Sequence, residues 1–236
     1  MELITGDYQY RAITFGPPAQ KFWHSAKLRL IERLEMLPDG EPVLDAGCGS
    51  GVVSKFLSQK GMKVVGVDSN TESIRFAQSQ YGSINLQFKH HELQSVSKLG
   101  PFRTIYCLEV LEHLESQTVK EVLQEFHRSA TPGARMLITV PNSHSAWPVI
   151  EWILDTFKLV PKLKGEQHLS SFSKKTLCSA LTESGWNVLE VGTFNGIAAF
   201  LSKFSERLAL RIERFEFSLR RFLPFNLIYC VAIRLP

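Results

Sequence analysis

The chain has 236 residues, 44% hydrophobic and 21% charged, with 27 basic and 23 acidic side chains and a formal charge of +4. That is enough chain to bury the core of one domain, and no stretch approaches the roughly 18 apolar residues of a membrane span. The mild positive balance permits an anionic surface or substrate without defining a nucleic-acid binder.

Cys48, Cys107, Cys178 and Cys230 show no paired spacing, which suits small buried thiols in a reducing compartment better than a disulfide frame or zinc site. The opening MELITGDYQY lacks the basic start and apolar run of a secretory leader, so a cytoplasmic protein, at most peripheral at a membrane, is expected.

Residues 1–18 are turn-rich, and 19–37 read as an amphipathic helix with Phe22, Leu30, Ile31 and Leu34 near helical spacing. A regular alternation follows: strand 42–46, helix 51–60, strand 63–67, helix 71–81 with Thr71 as its cap, and strand 84–88. Strand 104–108, helix 116–130 and strand 135–140 continue it. An apolar, aromatic stretch at 145–164 carries Trp147, Trp152 and Phe157. Ser173 caps a helix closed at Gly185, and strands 186–194 and 227–233 complete the pattern. This is a doubly wound α/β chain with a seven-stranded, mostly parallel sheet. We read residues 1–236 as one domain with an N-terminal helical arm at 1–38 and helical insertions at 144–166 and 196–224.

The organising stretch is Val43-Leu44-Asp45-Ala46-Gly47-Cys48-Gly49-Ser50-Gly51. An apolar pair runs into an acid and then three alternate glycines, as expected of a buried strand ending in a tight turn before a helix. Such a turn presents free amides to a ligand at the carboxyl edge of the sheet. A dinucleotide fingerprint would need a small residue where Val52 stands, and Asp45 would repel a pyrophosphate. A phosphate-free, cationic ligand suits the acid, and S-adenosyl-L-methionine (AdoMet) is one.

LDAGCGSG resembles the first motif of class I AdoMet-dependent methyltransferases, and the Rossmann-like methyltransferase fold is what that resemblance implies. The family's next element is a strand ending in an acid that holds the ribose hydroxyls, and Lys63-Val64-Val65-Gly66-Val67-Asp68 matches it. The resemblance thus implies a cofactor site of Asp45, Gly47, Cys48, Gly49, Gly51, Asp68 and Ser69, with Leu108 beside the thioether. The family often carries an acid after strand three to meet adenine. This chain has Lys89-His90-His91-Glu92, so Glu92 or His91 takes that place. In relatives an N-terminal segment folds over the cofactor, which brings Tyr8, Tyr10 and Lys21 into consideration.

Glu109, Glu112 and His113 stand at i, i+3 and i+4, so a helix beginning at Glu109 would put all three on one face. With His168 as a fourth ligand they would form a mixed O/N site for Mg, Mn, Fe or Zn. This pattern resembles the ubiquinone-pathway O-methyltransferases and the small-RNA terminal 2′-O-methyltransferases, in which such residues hold a divalent ion that orients hydroxyls. The expected activity is O-methylation of a small or lipid-like hydroxylated acceptor. An RNA 2′-O-methyltransferase is the alternative, although no basic, aromatic-interleaved tract is present. A non-catalytic AdoMet-binding subunit is the third reading.

Between the last two strands, 197–223 carries Leu201, Phe204, Leu208, Ile212, Phe215, Leu219 and Phe222 at intervals of three or four, beside Lys203, Arg207, Arg211 and Arg214. The expectation is a helix with this apolar stripe packed over the active site or against another subunit. A helix lying on an anionic bilayer is the alternative.

Overall fold

The computed structural model describes residues 6–36, 42–145 and 169–236, and the expectations for the 145–164 stretch and for His168 lie outside them. A seven-stranded sheet is ordered β3-β2-β1-β4-β5-β7-β6, with β7 antiparallel to both neighbours and the other pairs parallel. The strands are β1 (Pro42–Ala46), β2 (Lys63–Asp68), β3 (Leu86–His90), β4 (Phe102–Leu108), β5 (Ala130–Pro141), β6 (Asn187–Phe194) and β7 (Leu227–Ile233). Strand order reverses between β1 and β4, and the glycine turn leaves β1 at that point. Ligands of open α/β sheets bind at such a switch point.

The helices are α1 (Tyr8–Thr14), α2 (Pro18–Arg33), α3 (Val52–Gln59), α4 (Thr71–Tyr81), α5 (Ser116–Ser129), α6 (Lys174–Glu183), α7 (Ala198–Leu201) and α8 (Glu206–Ser218). One apolar layer joins Leu44, Ala46, Ile105 and Cys107 to α5 and α6, where Phe126, Leu177 and Leu181 are fully buried. The other joins Val43, Val64, Tyr106 and Tyr229 to α2, α3 and α4. The sheet is therefore covered on both faces, which is why its strands read as nearly continuous apolar runs.

Three local expectations shift. Strand three lies at Leu86–His90, two residues later than expected, and ends beside Asp68 through the Asp68–His90 pair. The cap of α4 is Asn70, whose side chain accepts from the amides of Glu72 and Ser73, so Thr71 becomes the first helical residue. Residues 197–223 form two helices rather than one. The break is fixed by Ser205, whose hydroxyl accepts from the Leu208 amide and caps α8.

Candidate cofactor site

Side chains alternate along β1, so Val43 and Asp45 face the α2–α3 side of the sheet. Asp45 is consequently 2% exposed and accepts a hydrogen bond from Ser54 Oγ of α3 at 2.5 Å. Burial pushes its carboxyl up to about 6, against the opposing pull of the Ser54 hydroxyl and the Lys27 ammonium. The resemblance implies a place for this acid among the cofactor-binding residues. The structure puts it beneath the turn, tying strand to helix.

A carboxyl whose folded pKa is raised favours the fold below its unfolded pKa and loses that contribution as pH rises through the folded value. For Asp45 the window runs from about 4 to about 6, and a two-unit shift corresponds to about 3 kcal/mol lost by neutral pH. Asp45→Asn is therefore expected to stabilise the fold by about 1–2 kcal/mol at pH 7, part of the gain being offset by the buried amide. Denaturant midpoints of the variant and wild type should converge at pH 4. A variant less stable than wild type at pH 7 would contradict the assignment.

The glycines that follow have left-handed backbones, with φ of 73° at Gly47, 50° at Gly49 and 79° at Gly51. Each position excludes a side chain for a different reason. A Cβ at Gly47 would meet the Val110 side chain at 2.4 Å, and one at Gly51 would meet Phe88 at 2.7 Å and Ala77 at 2.9 Å. Gly51 thus serves the packing of α4 and β3 against the turn. Gly49 faces the cleft, where only Gln9 approaches. The amides of Gly47 and Cys48 donate to the Val67 carbonyl, which fixes the turn to the end of β2. The Cys48 side chain is buried, so what it offers a ligand is backbone.

Asp68 spans the same turn. Its Oδ2 accepts from the Gly49 amide at 2.8 Å and its Oδ1 from the Asn70 amide at 2.8 Å. One carboxylate therefore connects the glycine turn with the start of α4, and Ser69 lies exposed between them. The loop after β3 closes the far side. His91 donates its amide to the Asp68 carbonyl at 3.1 Å, His90 Nε2 lies 3.0 Å from the Ser69 carbonyl, and Glu92 is exposed.

The N-terminal arm lies across this edge. The Tyr10 amide donates to Ser50 Oγ at 3.0 Å, and the Tyr10 ring rests 5.2 Å from that of Phe76. Gly6 approaches the backbone of Glu72 and Ser73 closely enough that a Cβ there would lie 2.6 Å away. The residues that reach the turn are Gln9 and Tyr10, whereas Tyr8 packs edge-on against His24. Gln9 had no sequence signal, because nothing in its neighbours distinguishes it from any polar helix residue. A narrow cleft lined by Gln9, Ile13, His24, Lys27, Val52 and Val53 remains between arm, α2 and α3.

The segment after β4 departs from expectation. Glu109 has φ of 59°, and a 3₁₀ turn over Leu111–His113 replaces the expected helix. Its three candidate ligands accordingly diverge. Glu109 pairs with Lys27 Nζ at 3.2 Å, Glu112 is 2% exposed, and His113 is exposed. Among the described residues no three His, Cys, Asp or Glu side chains converge as a metal site. His168, the fourth member of the set Glu109, Glu112, His113 and His168, lies outside the described residues.

A second charged cluster, unforeseen from sequence, occupies the space between the ends of β1 and β4. Lys27 of α2 is 5% exposed, pairs with Glu109 and lies within electrostatic reach of Asp45. His24, one turn earlier on α2, is lowered to about 4 by burial and by the Lys27 ammonium. The apolar spacing of α2 identified it as a packing helix and gave no sign that its inward face delivers a cation to the switch point.

A glycine cradle at the switch point, an acid ending β2 and a covering arm make up the candidate site of this α/β fold. The family model described as "Methyltransferase domain" matches residues 19–191, and the chain belongs to that family. Two ubiquinone biosynthesis O-methyltransferases are similar. That of Paracidovorax citrulli is 30% identical over 111 residues, covering 45% of this chain and 46% of that one. That of Psychrobacter cryohalolentis is 34% identical over 114 residues, covering 46% and 44%. The alignments thus span less than half the length of these relatives. Among solved structures, an AdoMet-dependent methyltransferase from Archaeoglobus fulgidus superposes with a TM-score of 0.65 at 19% identity, covering 90% of this chain and 94% of that one. Magnesium protoporphyrin IX methyltransferase from Synechocystis, solved with S-adenosylhomocysteine, gives 0.64 at 18% identity, covering 96% and 93%. These two likenesses concern the fold.

Proposed function

We propose that this methyltransferase alkylates a hydroxyl oxygen of a small or lipid-like acceptor. The observation that supports the donor site is the joint hold of Asp68 on Gly49 and Asn70, which presents a carboxylate at the open face of the glycine turn. In this reading Gly47, Cys48 and Gly49 supply backbone to the methionine end and Asp68 and Ser69 meet the ribose. Glu92 or His91 borders adenine, and Leu108 lines the sulfur. The Lys27–Glu109 pair offers one cation and one anion where a free amino acid has a carboxylate and an ammonium. The similarity to the two ubiquinone biosynthesis O-methyltransferases supports oxygen as the acceptor atom.

The donor, when bound, supplies an electrophilic methyl on a sulfonium. What the chain contributes is alignment and exclusion of water, worth up to roughly 7–11 kcal/mol for well-oriented reactants. The fixed turn does the first. The α1 arm, held by Ser50 and Phe76, does the second. The Gln9 side chain lies over Gly49 and would turn aside as the donor enters.

Radiolabelled methyl transfer from AdoMet into separated small-molecule, organic-extractable and RNA pools tests this reading. Label is expected in an alkali-stable ether of the small-molecule or organic pool. Label confined to RNA, or to an amine, would overturn it.

A further inference from the structure

Helix α8 packs Leu210, Ile212 and Phe217 against the core only in part. Its buried residues are Ala209, Glu213 and Glu216, not the apolar stripe. Glu213 is held by Arg29 Nε at 2.8 Å and Arg33 at 2.8 Å, both from α2. Glu216 accepts from the amides of Gly196, Ile197 and Ala198. Two carboxylates thus occupy the inner face, each satisfied, and they fix the rotation of the helix about its axis.

That rotation turns Phe215 outward while Phe217 packs half-buried against the core, and Phe204 and Phe222 lie in the turns that flank the helix. Phe204 is 82%, Phe215 63% and Phe222 80% exposed, and Leu208 shares their side. Exposed aromatics clustered on one helix and the turns at its two ends mark a contact surface rather than ordinary surface scatter. Lys203, Arg207, Arg211 and Arg214 are exposed alongside them, and Glu206 is the exposed acid of the helix.

We infer that this face seats on an anionic lipid bilayer. The charge pattern selects that occupant. A second copy of the chain meeting it symmetrically would set four cations against four cations, since an isologous contact repeats the same patch. A layer of acidic headgroups neutralises them while the rings enter the acyl boundary. No helix among the described residues is long and apolar enough to cross a membrane, so the seat is peripheral.

Position gives the surface its use. Both β6 and β7 meet the loop between them at the edge where Pro141 ends β5, as the Leu227 pairings with Pro141 and Phe194 show. This is the carboxyl edge, which also carries the glycine turn. Helix α2 bridges the two, gripping α8 through Arg29 and Arg33 and delivering Lys27 to Glu109. A chain resting on α8 would hold its donor site toward the lipid, which, on the proposed function, is where an apolar acceptor dissolves.

Vesicle co-sedimentation of the full chain tests the surface, using phosphatidylcholine alone and phosphatidylcholine mixed with phosphatidylglycerol. Pelleting is expected with the anionic vesicles and should fall with added salt. Phe204→Glu with Phe215→Glu, and separately Arg207→Gln with Arg211→Gln and Arg214→Gln, should each lower the partition coefficient at least tenfold; each basic residue near such a surface contributes about fivefold. These side chains point to solvent, so AdoMet binding by calorimetry should be unchanged in both variants. Wild-type chain left in the supernatant, equal pelleting with neutral vesicles, or variants that pellet like wild type would overturn the inference. So would light scattering that shows a dimer reduced to monomer by the phenylalanine changes. Intact methyl transfer with no pelleting removes the lipid seat and leaves the proposed function standing; pelleting without methyl transfer does the reverse.

Discussion

Asp68→Ala is expected to weaken binding of AdoMet, and of its demethylated product, by roughly 100- to 1,000-fold, from the loss of two charge-assisted hydrogen bonds at about 1.5–3 kcal/mol each, with partial replacement by water. The same carboxylate braces the turn, accepting from the Gly49 and Asn70 amides at 2.8 Å each. Its removal also frees the turn, so the ordering that wild type has already completed must be supplied at binding. The fold should be little affected, because both amides lie where water can replace the acceptor; a loss of about 1 kcal/mol is expected. Asp68→Asn should fall between, since an amide oxygen still accepts one of the two bonds. Calorimetric titration with the product, at matched melting temperature, separates these effects. An affinity within threefold of wild type would show that the ribose is held elsewhere and would remove the central support for the cofactor assignment.

The alternation of strands and helices was legible because the central strands are buried on both faces and helix boundaries carry signals, Ser173 opening α6 and Gly61 and Gly185 following α3 and α6. The glycine turn was legible because three left-handed positions in five residues leave few alternatives. The direction in which Asp45 faces followed from period-2 geometry, yet the motif's family role drew attention to the cofactor instead. The Glu109 expectation failed for a local reason. Helical spacing was read from residue types, while the left-handed Glu109 and the fixed end of β4 leave room for a single 3₁₀ turn. The rotation of α8 was illegible in a stronger sense. An apolar stripe ordinarily turns inward, and the outward turn of Phe215 depends on arginines nearly 200 residues away in sequence that make Glu213 the better buried group. Contacts of that range are set by topology, and the Lys27–Glu109 pair belongs to the same class.

Lys27→Met is expected to destabilise the fold by about 3–4 kcal/mol at pH 8, in the range seen when one partner of a buried ion pair is removed. Lys27 is 5% exposed, pairs with Glu109 and acts on Asp45, so methionine would leave the buried Asp45 without its cation and the partly exposed Glu109 without its ion pair. The cost should depend on pH in a definite sense. Asp45 already has its folded pKa raised to about 6 by burial, and without the ammonium that value rises further. A raised carboxyl supports the fold at low pH and ceases to as pH climbs through its folded value, so the variant loses most between pH 5 and 8. At pH 5 a proton on Asp45 stands in for the lost cation. His24, held at about 4 partly by Lys27, is also relieved of a like charge there, which acts in the same direction. The penalty at pH 5 should therefore shrink to about 1 kcal/mol, mainly lost packing of the lysine stem. Adding Asp45→Asn to Lys27→Met should recover more than half of the loss at pH 8, as coupled neighbours do in a double-mutant cycle. Urea denaturation at the two pH values measures all three variants. A penalty equal at pH 5 and pH 8, with no recovery in the double variant, would mean that Lys27 contributes bulk rather than charge, and that the polar end of the site is organised by Glu109 alone.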